Sequence, residues 1–153
     1  MAIVTIAAGS QIAADAGADI ARQGGNAVDA ALAATLVSMI TDVGVMAPGA
    51  SGFLTIWPPE KVPVVIDAYA NRPGLGLSSL PTEPSAREVF FDYGGRMSNV
   101  VGYGSVATPG IFRGLGLASD RYGQLPWEQI MRPAIEWAER GFPLTGGAAE
   151  YLR

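Results

Sequence analysis

Arg22-Gln23-Gly24-Gly25-Asn26-Ala27-Val28-Asp29-Ala30-Ala31 decides how this chain begins to fold, because it joins two helices through a corner that few residue types can make. Upstream, Ile12, Ala16, Ile20 and Ala21 recur at helical spacing, which predicts a helix reaching about Arg22. Gly24-Gly25 ends it, since glycine enters the left-handed region without a Cβ clash. Asn26 then caps a second helix. Asp29, three residues on, can reach back to that cap as in a capping box, in a place where Glu or Gln is usual.

Working outward, the second helix runs to about Asp42 and is apolar almost all round (Ala30, Leu32, Ala33, Val37, Met39, Ile40), the mark of a buried helix. Ala2 to Ala8 reads as a first strand. Val43 to Ser51 is a Gly/Pro-punctuated loop. Gly52 to Trp57 and Val62 to Tyr69 read as two strands of a hairpin, with Pro58-Pro59-Glu60-Lys61 as its turn. Arg72 to Met97, rich in Gly, Pro and Ser, reads as a long surface excursion, and Gly104 to Ala107 as a short strand or extended segment. Pro109-Gly110 starts a helix to about Tyr122, with Pro in its first turn. Leu125-Pro126 opens the last clear helix, which continues to Arg140 and stops at Gly141 and Pro143. On it, Ile135 and Trp137 should face inward and Glu136, Glu139 and Arg140 outward, with Trp127 a core anchor. Asp15, Asp19 and Arg22 are spaced for surface pairs worth a few tenths of a kcal/mol. The order of elements suits a layered α/β (α+β) arrangement, and residues 1–153 read as a single domain.

Composition narrows the function. A net charge of −4, with one lysine (Lys61) and scattered arginines, excludes a phosphate-tracking nucleic-acid surface. No cysteine means no disulfide framework and no thiolate metal site. No histidine removes the commonest general base and metal ligand. The longest apolar stretch, Ala30 to Ile40, is too short to span a bilayer. No signal peptide is visible, so a cytoplasmic location is expected, or a periplasmic or secreted one if a leader is removed. The mean hydropathy of +0.26 leaves two readings open: an Ala- and Gly-rich buried sandwich, or a face covered by another polypeptide.

Three blocks carry a family resemblance. RQGGNAVDAA resembles the signature near the start of the γ-glutamyltranspeptidase large subunit. Tyr122-Gly-Gln-Leu-Pro126-Trp127-Glu128, Pro133-Ala134-Ile135 and Ala138-Glu139-Arg140-Gly141-Phe142-Pro143 resemble that family's "YG-LPW-E … PAI--AE-GFP" segment. Ser105-Val106-Ala107-Thr108-Pro109-Gly110 resembles its "SV-VPG" turn into a helix. The three stand in the family's order over almost the whole chain. The resemblance implies part of the αββα sandwich of N-terminal-nucleophile hydrolases, here the N-terminal portion of a large subunit whose end at Arg153 reads as premature. It also implies an amidohydrolase or acyltransferase acting on a small-molecule amide through an acyl-threonine intermediate, with no metal or organic cofactor.

The nucleophile expected from the resemblance is the first residue of a Thr-led small subunit, its own α-amine serving as base. Thr5, Thr41, Thr55, Thr82, Thr108 and Thr145 are isolated and begin no such signature, so no catalytic residue is expected in this chain. The partners implied are the remaining large-subunit sequence and that small subunit; nucleic acid and membrane are not expected, and the assembly should be oligomeric. For substrate binding, the resemblance points to an arginine two residues after an aspartate, where a guanidinium can grip a carboxylate bidentately. Here the stretch is Ile66-Asp67-Ala68-Tyr69-Ala70-Asn71-Arg72-Pro73, so Tyr69 stands in that place and Arg72 follows three residues later. Asp67, Tyr69 and Arg72 are therefore the pocket candidates, against the plainer reading of a strand-end packing residue and a solvated arginine. The loop Asp42 to Phe53 stands where the family has a glycine run; Pro48, Ala50 and Ser51 interrupt it, which suits packing better than ligand contact. A different class also remains open, a non-catalytic truncated or split relative acting as a binding or assembly module.

Overall fold

The computed structural model describes residues 4–72, 74, 76, 78, 86–92, 94–144 and 146–152. Pro73, Thr82 and Thr145 lie outside them, as do the first residues of the predicted strand at Ala2. Helix α1 (Gln11–Arg22) starts at Ser10, whose side chain accepts from the Ala13 N–H at 3.4 Å. It ends at the corner in a paired motif: the Gly25 N–H donates to the Ile20 carbonyl at 3.0 Å, and the Gly24 N–H to that of Ala21 at 3.1 Å. Only Gly24 is left-handed, with φ +97°. Gly25 is needed for space, because a Cβ there would sit 2.9 Å from the Ile20 carbonyl oxygen and 3.0 Å from Leu125. Gly25→Ala is thus expected to cost about 2 kcal/mol by overpacking. Gly24→Ala should cost about 1 kcal/mol from backbone strain alone. Denaturant unfolding of the two variants separates these effects, and equal losses would contradict the assignment.

Helix α2 (Ala27–Thr41) begins with the expected capping box. The Asn26 side chain accepts from the Val28 and Asp29 N–H groups at 2.8 and 3.1 Å, and the Asp29 carboxylate accepts from the Asn26 N–H at 2.9 Å. Leu32, Ala33, Leu36, Val37 and Met39 are buried along it, since α1 covers one flank and the C-terminal helices another.

Strands β1 (Gly52–Ile56) and β2 (Val64–Ala68) pair antiparallel as expected, with Phe53 opposite Asp67 and Leu54 opposite Ile66. Ile66 and Ala68 are buried, with Leu54 and Ile56 packed against the same core. Helix α3 (Ile111–Tyr122) lies on this inner face. Helix α4 (Trp127–Arg140) buries Ile130 and Ala134, with Trp127, Met131 and Trp137 packed against the core. These helices and the hairpin share one buried cluster.

Four expectations are corrected. Val4 to Ala8 forms no ladder, because among the described residues no strand lies beside it to pair with. The stretch read as an irregular excursion to Met97 contains a second hairpin, β3 (Ala86–Asp92) and β4 (Arg96–Gly102), turned at Gly94-Gly95, both with positive φ. Of the two readings of Gly104 to Ala107 the strand fails: Tyr103–Ser105 is a 3₁₀ turn, and Val106 after it is extended but paired in no described strand. Ile135 is exposed, since the buried stripe of α4 runs through Ile130, Ala134 and Trp137 and leaves position 135 about a quarter turn off it. The prolines also fall just outside their helices, with Gly110 and Pro126 at the N-cap positions. A six-residue helix, α5 (Gly146–Tyr151), follows unannounced by its two glycines.

The Asp19–Arg22 pair forms on the surface of α1, and Glu136, Glu139 and Arg140 are exposed. Arg140 lies over the Trp137 ring, 3.7 Å from its centroid.

Candidate functional site

The three pocket candidates run from the C-terminal end of β2 into the segment after it: Asp67 is in the strand, Tyr69 directly follows it and Arg72 lies beyond. Asp67 and Tyr69 project from its outer face, since successive strand residues alternate and Ile66 and Ala68 point to the core. The Tyr69 N–H donates to the Asp67 carboxylate at 2.9 Å, which turns the chain out of the strand. Two residues on, Asn71 and Thr108 exchange backbone hydrogen bonds at 3.0 and 2.9 Å. Arg72 follows that bridge and is exposed.

The strand end is held from below by Gly110. A Cβ there would lie 2.5 Å from the Tyr69 carbonyl oxygen and 2.6 Å from that of Ala68, so the start of α3 approaches the β2 backbone as only glycine permits. The "SV-VPG"-like turn thereby fixes where Tyr69 stands. Phe53, which sequence reasoning passed over, completes the arrangement: its ring stacks on that of Tyr69 with centroids 5.5 Å apart and planes 14° apart. The signal for it is the hairpin register, which sets Phe53 opposite Asp67.

The structure thus brings Asp67, Tyr69 and Phe53 together on one surface and places Arg72 beyond the bridge. Grooves elsewhere, between α1 and α4, beside α2 and at the α1–α2 corner, contain none of these residues. The described threonines have structural partners or surface positions. Thr41 bonds the Val37 carbonyl and Asp42, Thr35 bonds the Ala31 carbonyl, Thr108 is in the bridge, and Thr55 is exposed on β1. Among the described residues no group of three or more Asp or Glu could hold a metal, and no helix is long and apolar enough to cross a membrane.

The "Gamma-glutamyltranspeptidase" family model matches residues 13–153. This chain belongs to the γ-glutamyltranspeptidase family. Over 92% of its length it is 36% identical to Scoloptoxin SSD14 of Scolopendra dehaani, and over 88% it is 34% identical to the acylase ACY 1 proenzyme of Pseudomonas sp. strain SE83. It spans 22% and 24% of those two relatives, about a quarter of their length. In structure it is similar to the γ-glutamyltranspeptidase of Pseudomonas nitroreducens complexed with L-DON, with a TM-score of 0.76, 28% identity, and coverage of 97% of this chain and 42% of that one. The α/β class expected from the element order holds. The helices and the inner face of β1–β2 form a helix layer on a sheet layer, and the fit to a quarter of the relatives suits the N-terminal part of a large subunit.

Proposed function

We propose that residues 1–153 form a single domain within the large subunit of an amidohydrolase or acyltransferase, and that Asp67, Tyr69 and Arg72 line its acyl pocket. The nucleophile is the threonine of a Thr-led small subunit. Its hydroxyl attacks the amide carbonyl, its α-amine takes the hydroxyl proton and delivers it to the leaving amine, and water or an acceptor amine then releases the acyl group from the threonine ester. No metal or organic cofactor takes part. The acylase and γ-glutamyltranspeptidase relatives support this reaction class.

One observation carries the reading. The outer face of β1–β2 leaves large apolar side chains bare beside Thr55 and Asp67: Phe53 is 63% exposed, Val65 60%, Tyr69 57% and, at its end, Trp57 76%. Large bare apolar side chains grouped on one sheet face mark an interaction surface, and this group includes Tyr69 of the candidate pocket. The remaining large-subunit sequence and the small subunit would cover it, closing the pocket at the Tyr69 end. Trp57→Glu is therefore expected to weaken assembly at least tenfold in sedimentation or native mass measurements while leaving the helical circular dichroism unchanged. Loss of the helical signal would place Trp57 in the fold instead.

Intact mass of the native assembly, with N-terminal sequencing of every chain present, tests the reading as a whole. A second chain beginning with threonine is expected. A single species made of this polypeptide alone would favour a binding or assembly module.

A further inference from the structure

Val4 to Ala8 runs beside α1 and α2 without turn or bend, and its first residues alternate as those of a strand do. Val4 and Ile6 are half-buried, Thr5 and Ala7 exposed. Ile6 reaches α1 at Gly17, its Cδ1 3.3 Å from where a Cβ on that glycine would stand. Yet no backbone N–H or C=O from Val4 to Ala8 bonds any group among the described residues. Backbone groups left open along a strand are a template for another strand.

Along this segment lies a groove of about 370 Å³ whose floor is one face of α2. Ala27, Ala31, Thr35 and Ser38 follow one another at helical spacing, and no charged side chain lines the groove. α2 is apolar round its circumference, so it is built to be covered on every side. Here, however, Ala27 and Ala31 are exposed. Ser38 points the same way. It is 5% exposed and lines the groove, but its hydroxyl has no partner among the described residues. The Thr35 and Thr41 hydroxyls on the same helix each bond the carbonyl one turn back. Buried hydroxyls are as a rule paired, so a group with donors or acceptors suits this floor. A charged side chain entering the groove would lose water and meet no opposite charge.

From this we infer that the groove takes an uncharged extended strand, supplied by polypeptide other than residues 1–153. It ladders onto Val4–Ala8 and lays small side chains against Ala27, Ala31 and Thr35. This chain spans about a quarter of the relatives' length, which leaves an assembly of their size ample polypeptide to provide it. The inference rests on the assembly proposed above and not on its reaction, and the surface is a different one from the outer face of β1–β2.

Hydrogen exchange of the native assembly, resolved to single amides, tests it. Alternate amides between Val4 and Ala8 should exchange on the order of a hundredfold slower than in a free peptide, because a ladder engages every second residue of an edge. Ala31→Glu sets a carboxylate on the exposed floor and should abolish that protection with the helical circular dichroism unchanged, while Ala31→Ser keeps it. Free-peptide exchange at all these amides, in an assembly that holds further polypeptide, would overturn the inference and leave the assembly standing. Protection that survives Ala31→Glu would overturn it too, by placing the strand away from α2. If Ala31→Glu does not fold, the alternating pattern in the native assembly decides. Where native mass finds copies of this polypeptide alone, protection that grows with its concentration makes a second copy the occupant and overturns the inference. In that case the absence of protection removes the inference together with the assembly.

Discussion

Replacing Asp29 with alanine is expected to lower the unfolding free energy by about 4 kcal/mol, among the largest losses available to a single substitution in this chain. Asp29 is fully buried, and its carboxylate joins two places far apart in sequence. It closes the capping box at Asn26, and both of its oxygens lie 3.1 Å from the Gln124 N–H, 95 residues away. Alanine leaves both N–H groups without that acceptor at a part-buried site, and each charge-assisted bond is worth about 1.5–3 kcal/mol. Asn26 adds a parallel tie, its side-chain amide donating to the Tyr122 carbonyl at 2.7 Å. The site is also too tight to rearrange: a Cβ on Gly123 would stand 2.7 Å from an Asp29 oxygen. Asp29→Asn keeps one acceptor oxygen and should lose roughly half as much. Denaturant unfolding followed by circular dichroism measures all of this. Equal, small losses for both variants would show that the carboxylate does no more than cap its own helix.

Gly114→Ala is expected to cost about 3 kcal/mol, for the opposite reason. Here a group is added where none fits. A Cβ at Gly114 would overlap that of Ala68 and press on Leu54, so α3 would have to lift from β2. Interiors are close-packed, and the displacement would be shared by Ile66, Leu115 and the rest of the cluster. Because the clash is with one methyl, Ala68→Gly in the same chain should recover much of the loss, a strongly non-additive double-mutant cycle. Additive costs would show that the strain of Gly114→Ala lies elsewhere. A substitution at Gly110 has no comparable rescue, since its Cβ would meet backbone carbonyls rather than a removable side chain.

Several features were legible in the sequence because their physics is local. The α1–α2 corner could be read from Gly24 and Asn26-Ala27-Val28-Asp29, since caps are made between residues two to five apart. The buried character of α2 followed from its apolar circumference. The β1–β2 hairpin followed from two apolar runs about a Pro-Pro turn. The family, too, was carried by three short blocks in order, and the comparisons bear it out.

Other features depend on what lies alongside. Val4 to Ala8 has strand composition, but a strand exists only against a ladder partner. The β3–β4 hairpin was hidden by the Gly, Pro and Ser residues that precede it, and what defines it is the cross-strand pairing about Gly94-Gly95. Gly25 could be recognised as a helix stop, yet part of its reason is the nearness of Leu125, a residue from the far end of the chain, besides that of Ile20. Asp67, Tyr69 and Arg72 could be named as candidates from their spacing. Their grouping could not, because the Phe53–Tyr69 stack needs the hairpin register and the Asn71–Thr108 bridge pairs residues far apart along the chain. The α1–α2 corner, the buried α2 and the family could be read from neighbours along the chain, where bonding partners lie close in sequence. Which polar and aromatic groups share a surface depends instead on contacts between distant segments, whose approach no local pattern encodes.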